Sequence, residues 1–484
     1  MLERGKMKVV DEKAPDLLAR VSGCWLGKSV GGTLGLPAEG RMERLNFTYY
    51  DPVPTEAPPN DDLELQLVWL HILEQADGPI SWDDFARAWR KHIHYMWDEY
   101  GVCRWNLRRG VPAGWTGVFE NPFHSGMGAA IRSEIWACVF PGDPDSAAAH
   151  AAIDGSLDHG PGGIEGEVLF AALQSQIVGG LDLAAAFERA LTYVSPEGET
   201  ARAIRVVREC HAAGWDAWDC WEKLIRLHGN ENFTHAPLNV ALTVWALLYG
   251  GEDFEASVLF AVNGGFDTDC TAATVGATLG LLHGKQGIPA RWSDPIGEGV
   301  FTGPGILGIE TPRTLDELAR RTLALAGNVP SKPWRGLVSG PGTPPRLDEL
   351  PGTIEIRPLG SERSVLWANG ELPREVKATG GAEWEWDCPT EDPREIVCLA
   401  RQGARVFLDG QLVIERAANL PYVPATHRSG SRVTIQPGRG RHQVRVELNS
   451  GAPDQAASVI LTYPNLHIAP WTAEELPEPA RLPA

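Results

Sequence analysis

Apolar residues recur every three to four positions through the first 330 residues, as at Leu63, Leu67, Leu70 and Leu73, and again at Leu238, Leu242, Trp245 and Leu248. Such spacing gathers them on one helix face, so this part of the chain is predicted to be mostly helical. From Pro330 to Gly352, 10 of 23 residues are Pro or Gly, which breaks helices and suits an extended connector. Beyond it the period changes to two. TIEIRPL from Thr353, RSVLWA from Arg363, EWEW from Glu383, ARVFL from Ala404, QLVIE from Gln411, RVTIQ from Arg432, QVRVEL from Gln443 and SVILTY from Ser458 read as strands. Two of these runs meet at Asp409-Gly410, a strong hairpin signal. The expected organisation is a helical domain over 1–330, a linker over 331–352, a β-sandwich over 353–470 and a tail over 471–484. The fold class is multidomain α+β, an all-α domain followed by an antiparallel sandwich.

Length and charge narrow the function. A chain of 484 residues is too long for one ordinary core. Its formal net charge of −20 repels phosphate backbones and anionic lipid, which argues against a nucleic-acid or membrane-surface binder. Eight scattered cysteines, none in a CxxC pair, suggest free thiols rather than a zinc site or a disulfide scaffold. The opening MLERGKMKVVDEKAPD carries charges where a secretion signal needs an apolar run, so a cytoplasmic location is expected.

Four segments invite chemistry. Glycines 23, 27, 31 and 35 lie four apart on one face of a helix that ends near Glu39, which permits close approach of another backbone. Leu26-Gly27-Lys28-Ser29 resembles the end of a phosphate loop, but Ser22 stands where the first glycine belongs and no strand precedes it; that reading is rejected. Asn60-Asp61-Asp62 opens an apolar helix, where it either caps the free amides or supplies hard oxygen donors to a cation. Asp267-Thr268-Asp269-Cys270 follows two glycines and precedes a small-residue helix with Gly276 and Gly280, and the same two readings apply. A fifth stretch, Ser156 to Gly166, sets Asp158, His159, Gly162 and Glu165 in a glycine-rich loop that either binds a ligand or makes a polar turn. His92 and His94, beside Tyr95 and Trp97, read as packing histidines.

In order and spacing these segments, from Gly23 to Gly284, resemble the ADP-ribosylglycohydrolase family, which includes the dinitrogenase reductase activating glycohydrolase. The resemblance implies an orthogonal all-helical fold with two magnesium ions at its centre, manganese being the alternative. It implies Asn60, Asp61, Asp62, Asp267, Asp269 and Cys270 as the metal-holding set and Glu39, Asp62 and Asp269 as catalytic residues. Asp158, His159, Gly162 and Glu165 match the family's stretch near the substrate. Gly32, Asn60 and Cys270 stand where the family usually has Asp, Thr and Thr. Asn60 keeps a carbonyl donor, whereas a thiol is a soft ligand that magnesium does not prefer.

The expected activity is magnesium-dependent hydrolysis of an N- or O-glycosidic bond to ribose or a similar furanose, with ADP-ribosyl compounds as the first class. The alternatives are a furanosidase acting on a nucleoside, small glycoside or glycan, aided by the sandwich, and a non-catalytic sugar- or nucleotide-binding protein. Partners are a small-molecule or glycoside substrate and a second copy docked through the sandwich. Trp367, Trp384 and Trp386 either stack on sugar rings or fill the sandwich core.

Overall fold

A computed structural model of the chain describes residues 16–337, 340, 343–418 and 432–472. The helical part begins with the helix Leu17–Gly35, capped by the Asp16 carboxylate, and its last long helix is Leu315–Leu325. At its centre, Leu17–Gly35 runs antiparallel to Thr268–His283, and both are almost wholly buried. Their glycines explain the pairing. A Cβ on Gly23, Gly27, Gly31 or Gly35 would drive into the backbone carbonyl of Gly280, Gly276, Ala272 or Thr268 respectively. With no side chains between them, the two helices pack backbone to backbone. Against this pair pack Asp61–Glu74, Pro161–Val178, Ala236–Gly250, Phe254–Asn263 and Leu315–Leu325.

The carboxy-terminal part is an antiparallel sandwich of two sheets. Its strands are β1 Ile354–Pro358, β2 Val365–Trp367, β3 Gly370–Glu371, β4 Gly381–Cys388, β5 Arg394–Ala400, β6 Ala404–Leu408, β7 Gln411–Arg416, β8 Arg432–Ile435, β9 Gly440–Leu448 and β10 Ala457–Thr462. One sheet has the order β2-β1-β4-β9-β6-β7 and the other β3-β10-β5-β8. Leu408 pairs with Gln411 across the Asp409-Gly410 turn, whose residues take φ of 50° and 77°. Both positive angles are what a two-residue hairpin turn asks for.

Strands β3 and β5 are absent from the alternating pattern. β5, REIVCLA, is buried at every position. Ile396, Cys398 and Ala400 face the sandwich core, while Val397 and Leu399 face outward onto Val102, Trp105 and Phe123 of the helical part. A strand covered on both faces shows a continuous apolar run instead of alternation. Its outer face is thus a seam within the chain.

Trp367, Trp384 and Trp386 are buried in the core, so these three offer no platform to a sugar. Trp471, assigned by its sequence position to the tail, belongs to the same core. Its ring lies 5.2 Å from Trp384 and 5.5 Å from Trp386, and its Nε1 donates to Asn369 Oδ1 at 3.0 Å. Residues 473–484 of the predicted tail lie outside the described residues. No helix among the described residues is long and apolar enough to cross a membrane. All eight cysteines are free and buried.

Candidate active site and metal centre

The glycine-zipped helices determine where the acids go. Because Gly35 lies against Thr268, the end of the first helix, leading to Glu39, meets the start of the helix that carries Asp269. Thr268 Oγ1 donates to Gly35 O at 2.8 Å and fastens this junction. Gly265, at φ 72°, turns the chain into it, and the Asp267 amide donates to Asn239 Oδ1 at 3.2 Å.

Carboxylate oxygens of Glu39, Asp267 and Asp269 lie within 4.8 Å of one another, and so do ligand atoms of Asp62, Asp269 and Cys270. Asp269 belongs to both groups. Asn60 links the second acidic segment to the first, since its Nδ2 donates to Asp269 Oδ2 at 3.3 Å while its Oδ1 accepts from the Asp62 amide at 2.7 Å. The side-chain carbonyl of Asn60 therefore caps the helix Asp61–Glu74. Tyr100 donates to Asp61 Oδ2 at 3.1 Å.

These groups meet at a cleft of about 470 Å³, lined by Glu39, Asn60, Asp61, Asp267, Asp269 and Cys270 from the predicted set. Asp62 lies behind it, facing Lys28. Burial, with mutual repulsion, raises the carboxyl groups of Asp62, Asp267 and Asp269 above their ordinary range. Asp61 is pushed up to about 6, by burial first and then by Glu39 and Glu64. Among the described residues, both oxygens of Asp62 and Oδ1 of Asp269 find no hydrogen-bond donor, although all three are buried. Buried oxygens left in this state carry a penalty that a hard divalent cation removes, so the donor set fits one. Cys270 fits least well, since burial and the neighbouring aspartates push its thiol up and keep it protonated.

Lys28, on the discarded phosphate-loop tetrad, is 1% exposed. Its Nζ stands 3.1 Å from Glu134 and 3.7 Å from Asp62, and donates to Ile131 O at 2.8 Å. Burial alone would lower its pKa, but Glu134 and Asp62 more than reverse this and hold it charged. Gln66 completes the arrangement, with Nε2 donating to Glu134 Oε2 at 2.9 Å. Nothing in the local sequence marks Glu134 or Gln66 as partners of Lys28.

The predicted substrate loop lies deeper. Asp158 is fully buried and held by Arg132, with contacts of 2.6 and 2.9 Å, so its carboxylate faces the interior and not the cleft. His159 is equally buried, its Nδ1 2.9 Å from Asp158 Oδ1 and its Nε2 3.4 Å from Glu99 Oε1. Burial would lower the imidazole pKa, yet Asp158 and Glu99 raise it to about 9. Glu99 lines the cleft, so His159 stands one side chain behind the cavity wall. Glu165 accepts from the Ser195 amide at 3.1 Å, and Gly162 sits beside Ser125 and Pro237; neither lines the cleft. Sequence reading missed Glu64, Glu99 and Tyr100, all in the cavity wall. Glu64 accepts hydrogen bonds from Tyr95 Oη and the Gly303 amide.

The family model for ADP-ribosylglycohydrolase matches residues 13–331. No curated protein matches the chain. Among solved structures, one titled ADP-ribosylglycohydrolase-related protein complex is 21% identical, with a TM-score of 0.42, covering 64% of this chain and 97% of its own. The chain therefore belongs to the ADP-ribosylglycohydrolase family, a family of glycosyl hydrolase-like enzymes.

Proposed function

We propose that the chain is a magnesium-dependent hydrolase of an N- or O-glycosidic bond to ribose or a similar furanose, with ADP-ribosyl compounds as its substrate class. The observation that carries this reading is the convergence of Glu39, Asp267 and Asp269 oxygens within 4.8 Å, next to a second group that shares Asp269. Carboxylates so close drive protonation unless a cation lies among them. Two groups that share one aspartate suit two ions, magnesium first and manganese as the alternative. Asp61, Asp62, Asp267 and Asp269 are the residues to hold them. Asn60 orients Asp269 through its amide, and Cys270 contributes least.

Magnesium held by Asp61, Asp62, Asp267 and Asp269 would supply Lewis acidity to bind vicinal ribose hydroxyls and ease deprotonation of water. Glu39 accepts the proton of the attacking water as its oxygen bonds to the anomeric carbon and the bond to the aglycone breaks. The surrounding carboxylates stabilise the positive charge that develops on the sugar. The departing atom takes up a proton through Glu99, which stands between the His159 imidazolium and the cavity.

The test is a turnover screen of ADP-ribosyl-arginine, ADP-ribosyl-serine, nucleosides and nitrophenyl furanosides, with magnesium and with excess chelator. Turnover of an ADP-ribosyl compound that stops on chelation is expected. Activity untouched by chelation, or confined to nucleosides, would overturn the assignment.

A further inference from the structure

The sandwich reaches the cleft. Leu466 lines the same cavity as Glu39, Asp61 and Asp269, although it stands about two hundred residues beyond the last of them. It lies in the loop that follows β10, which is closed by hydrogen bonds from the Tyr463 amide to His467 O at 2.7 Å and from the Leu466 amide to Tyr463 O at 2.9 Å. Leu466 takes φ 65°, a left-handed conformation that a branched side chain avoids unless its surroundings impose it. The surroundings are firm. Thr462 bridges Ile468, and Ile468 packs with Val102 and Trp105 on the helix whose first turn carries Glu99 and Tyr100. Val397, Leu399 and Ile460 of the sandwich join that same apolar seam.

We propose, resting on the function proposed above, that Leu466 is a specificity-determining residue: the sandwich holds it over the cleft so that small, free ADP-ribosyl compounds enter and ADP-ribose attached to a folded protein does not. Two observations support the size limit. The cavity of about 470 Å³ suits a ligand of nucleotide size, and Leu466 stands in its wall. The seam behind the loop is apolar, with Val102, Trp105 and Phe123 packed on Val397, Leu399, Ile460 and Ile468, which fastens the loop to the helix that carries Glu99 and Tyr100.

The experiment uses the full chain and compares kcat/KM for ADP-ribosyl-arginine with that for the same linkage on a folded carrier protein. Wild type should prefer the small substrate by about a hundredfold or more, and L466G should cut this preference roughly tenfold by raising turnover of the carrier. Glycine relaxes the left-handed backbone, so L466G keeps the fold, and L466F should hold the preference at or above the wild-type value. An active L466G with an unchanged preference, or a wild type that accepts both substrates equally, overturns the inference while leaving the hydrolase reading intact. A wild type that turns over neither substrate and binds no ADP-ribose by calorimetry overturns the hydrolase reading and this inference together.

Discussion

Thr268 Oγ1 donates a 2.8 Å hydrogen bond to the carbonyl of Gly35, a residue more than two hundred positions earlier in the chain. This contact ties the end of the first helix to the start of the helix that bears Asp269. The two acidic segments on either side, Glu39 and Asp267-Asp269, meet because of it. The position of the candidate metal centre is therefore a consequence of how closely two backbones approach.

The first prediction concerns that approach. G27A should destabilise the protein by about 1–3 kcal/mol, even though alanine is the better helix former, because its Cβ would strike the Gly276 carbonyl. G78A, whose added Cβ meets nothing within 4 Å among the described residues, is the control and should change little. Urea unfolding of both variants decides the matter; equal midpoints would remove the zipper argument.

Lys28 is the buried cation that holds Glu134 and Asp62. Replacing it with methionine should cost about 3–5 kcal/mol, because two buried acids lose their counter-charge. The double variant K28M/E134Q should recover part of that loss. Additive losses in a double-mutant cycle would show that the two residues do not interact.

Divalent cation should stabilise the wild-type protein by mass action, by about 2.7 kcal/mol at a hundred times Kd. The shift in thermal midpoint on adding magnesium should vanish in D269N, since Asp269 contributes to both ligand groups. D267A and D269A should each abolish turnover while leaving the β-rich circular-dichroism signal of the sandwich in place. A full magnesium shift in D269N would contradict the proposed ligand set.

Stability should fall on the alkaline side. The His159 pKa is raised to about 9 against an ordinary 6.5, so its ion pairing stabilises the fold fully below about pH 6.5 and is lost as pH rises through 9. The shift corresponds to about 3 kcal/mol as an upper bound for this buried group. H159Q should flatten the decline between pH 6.5 and 9 in guanidinium titrations. An unchanged slope would mean that another group carries the pH dependence.

Much of the architecture is legible in one dimension. The glycines at 23, 27, 31 and 35, the small-residue face with Gly276 and Gly280, and the Asp409-Gly410 turn are local patterns with one cheap structural solution each. The acids at 39, 61, 62, 267 and 269 are visible for the same reason, since each sits at the end or start of a helix whose periodicity can be read. Strand β5 was hidden because both its faces are buried, which erases alternation. Asp158 looked like a loop residue and proved to be an interior partner of Arg132, for no nearby residue announces a guanidinium 26 positions away.

By itself, then, the sequence determined the helix and strand periods, the sites where backbone could approach backbone, and which segments carried acid, since these depend on neighbours a few residues apart. Only the tertiary structure decided that Lys28 answers Glu134 and Asp62, that His159 stands behind Glu99 of the cavity wall, and that Leu466 of the sandwich stands at the cavity of the helical domain. Those relations are matters of burial and distance between remote stretches. Burial sets which charges must be paired, and no local pattern encodes where the partner lies.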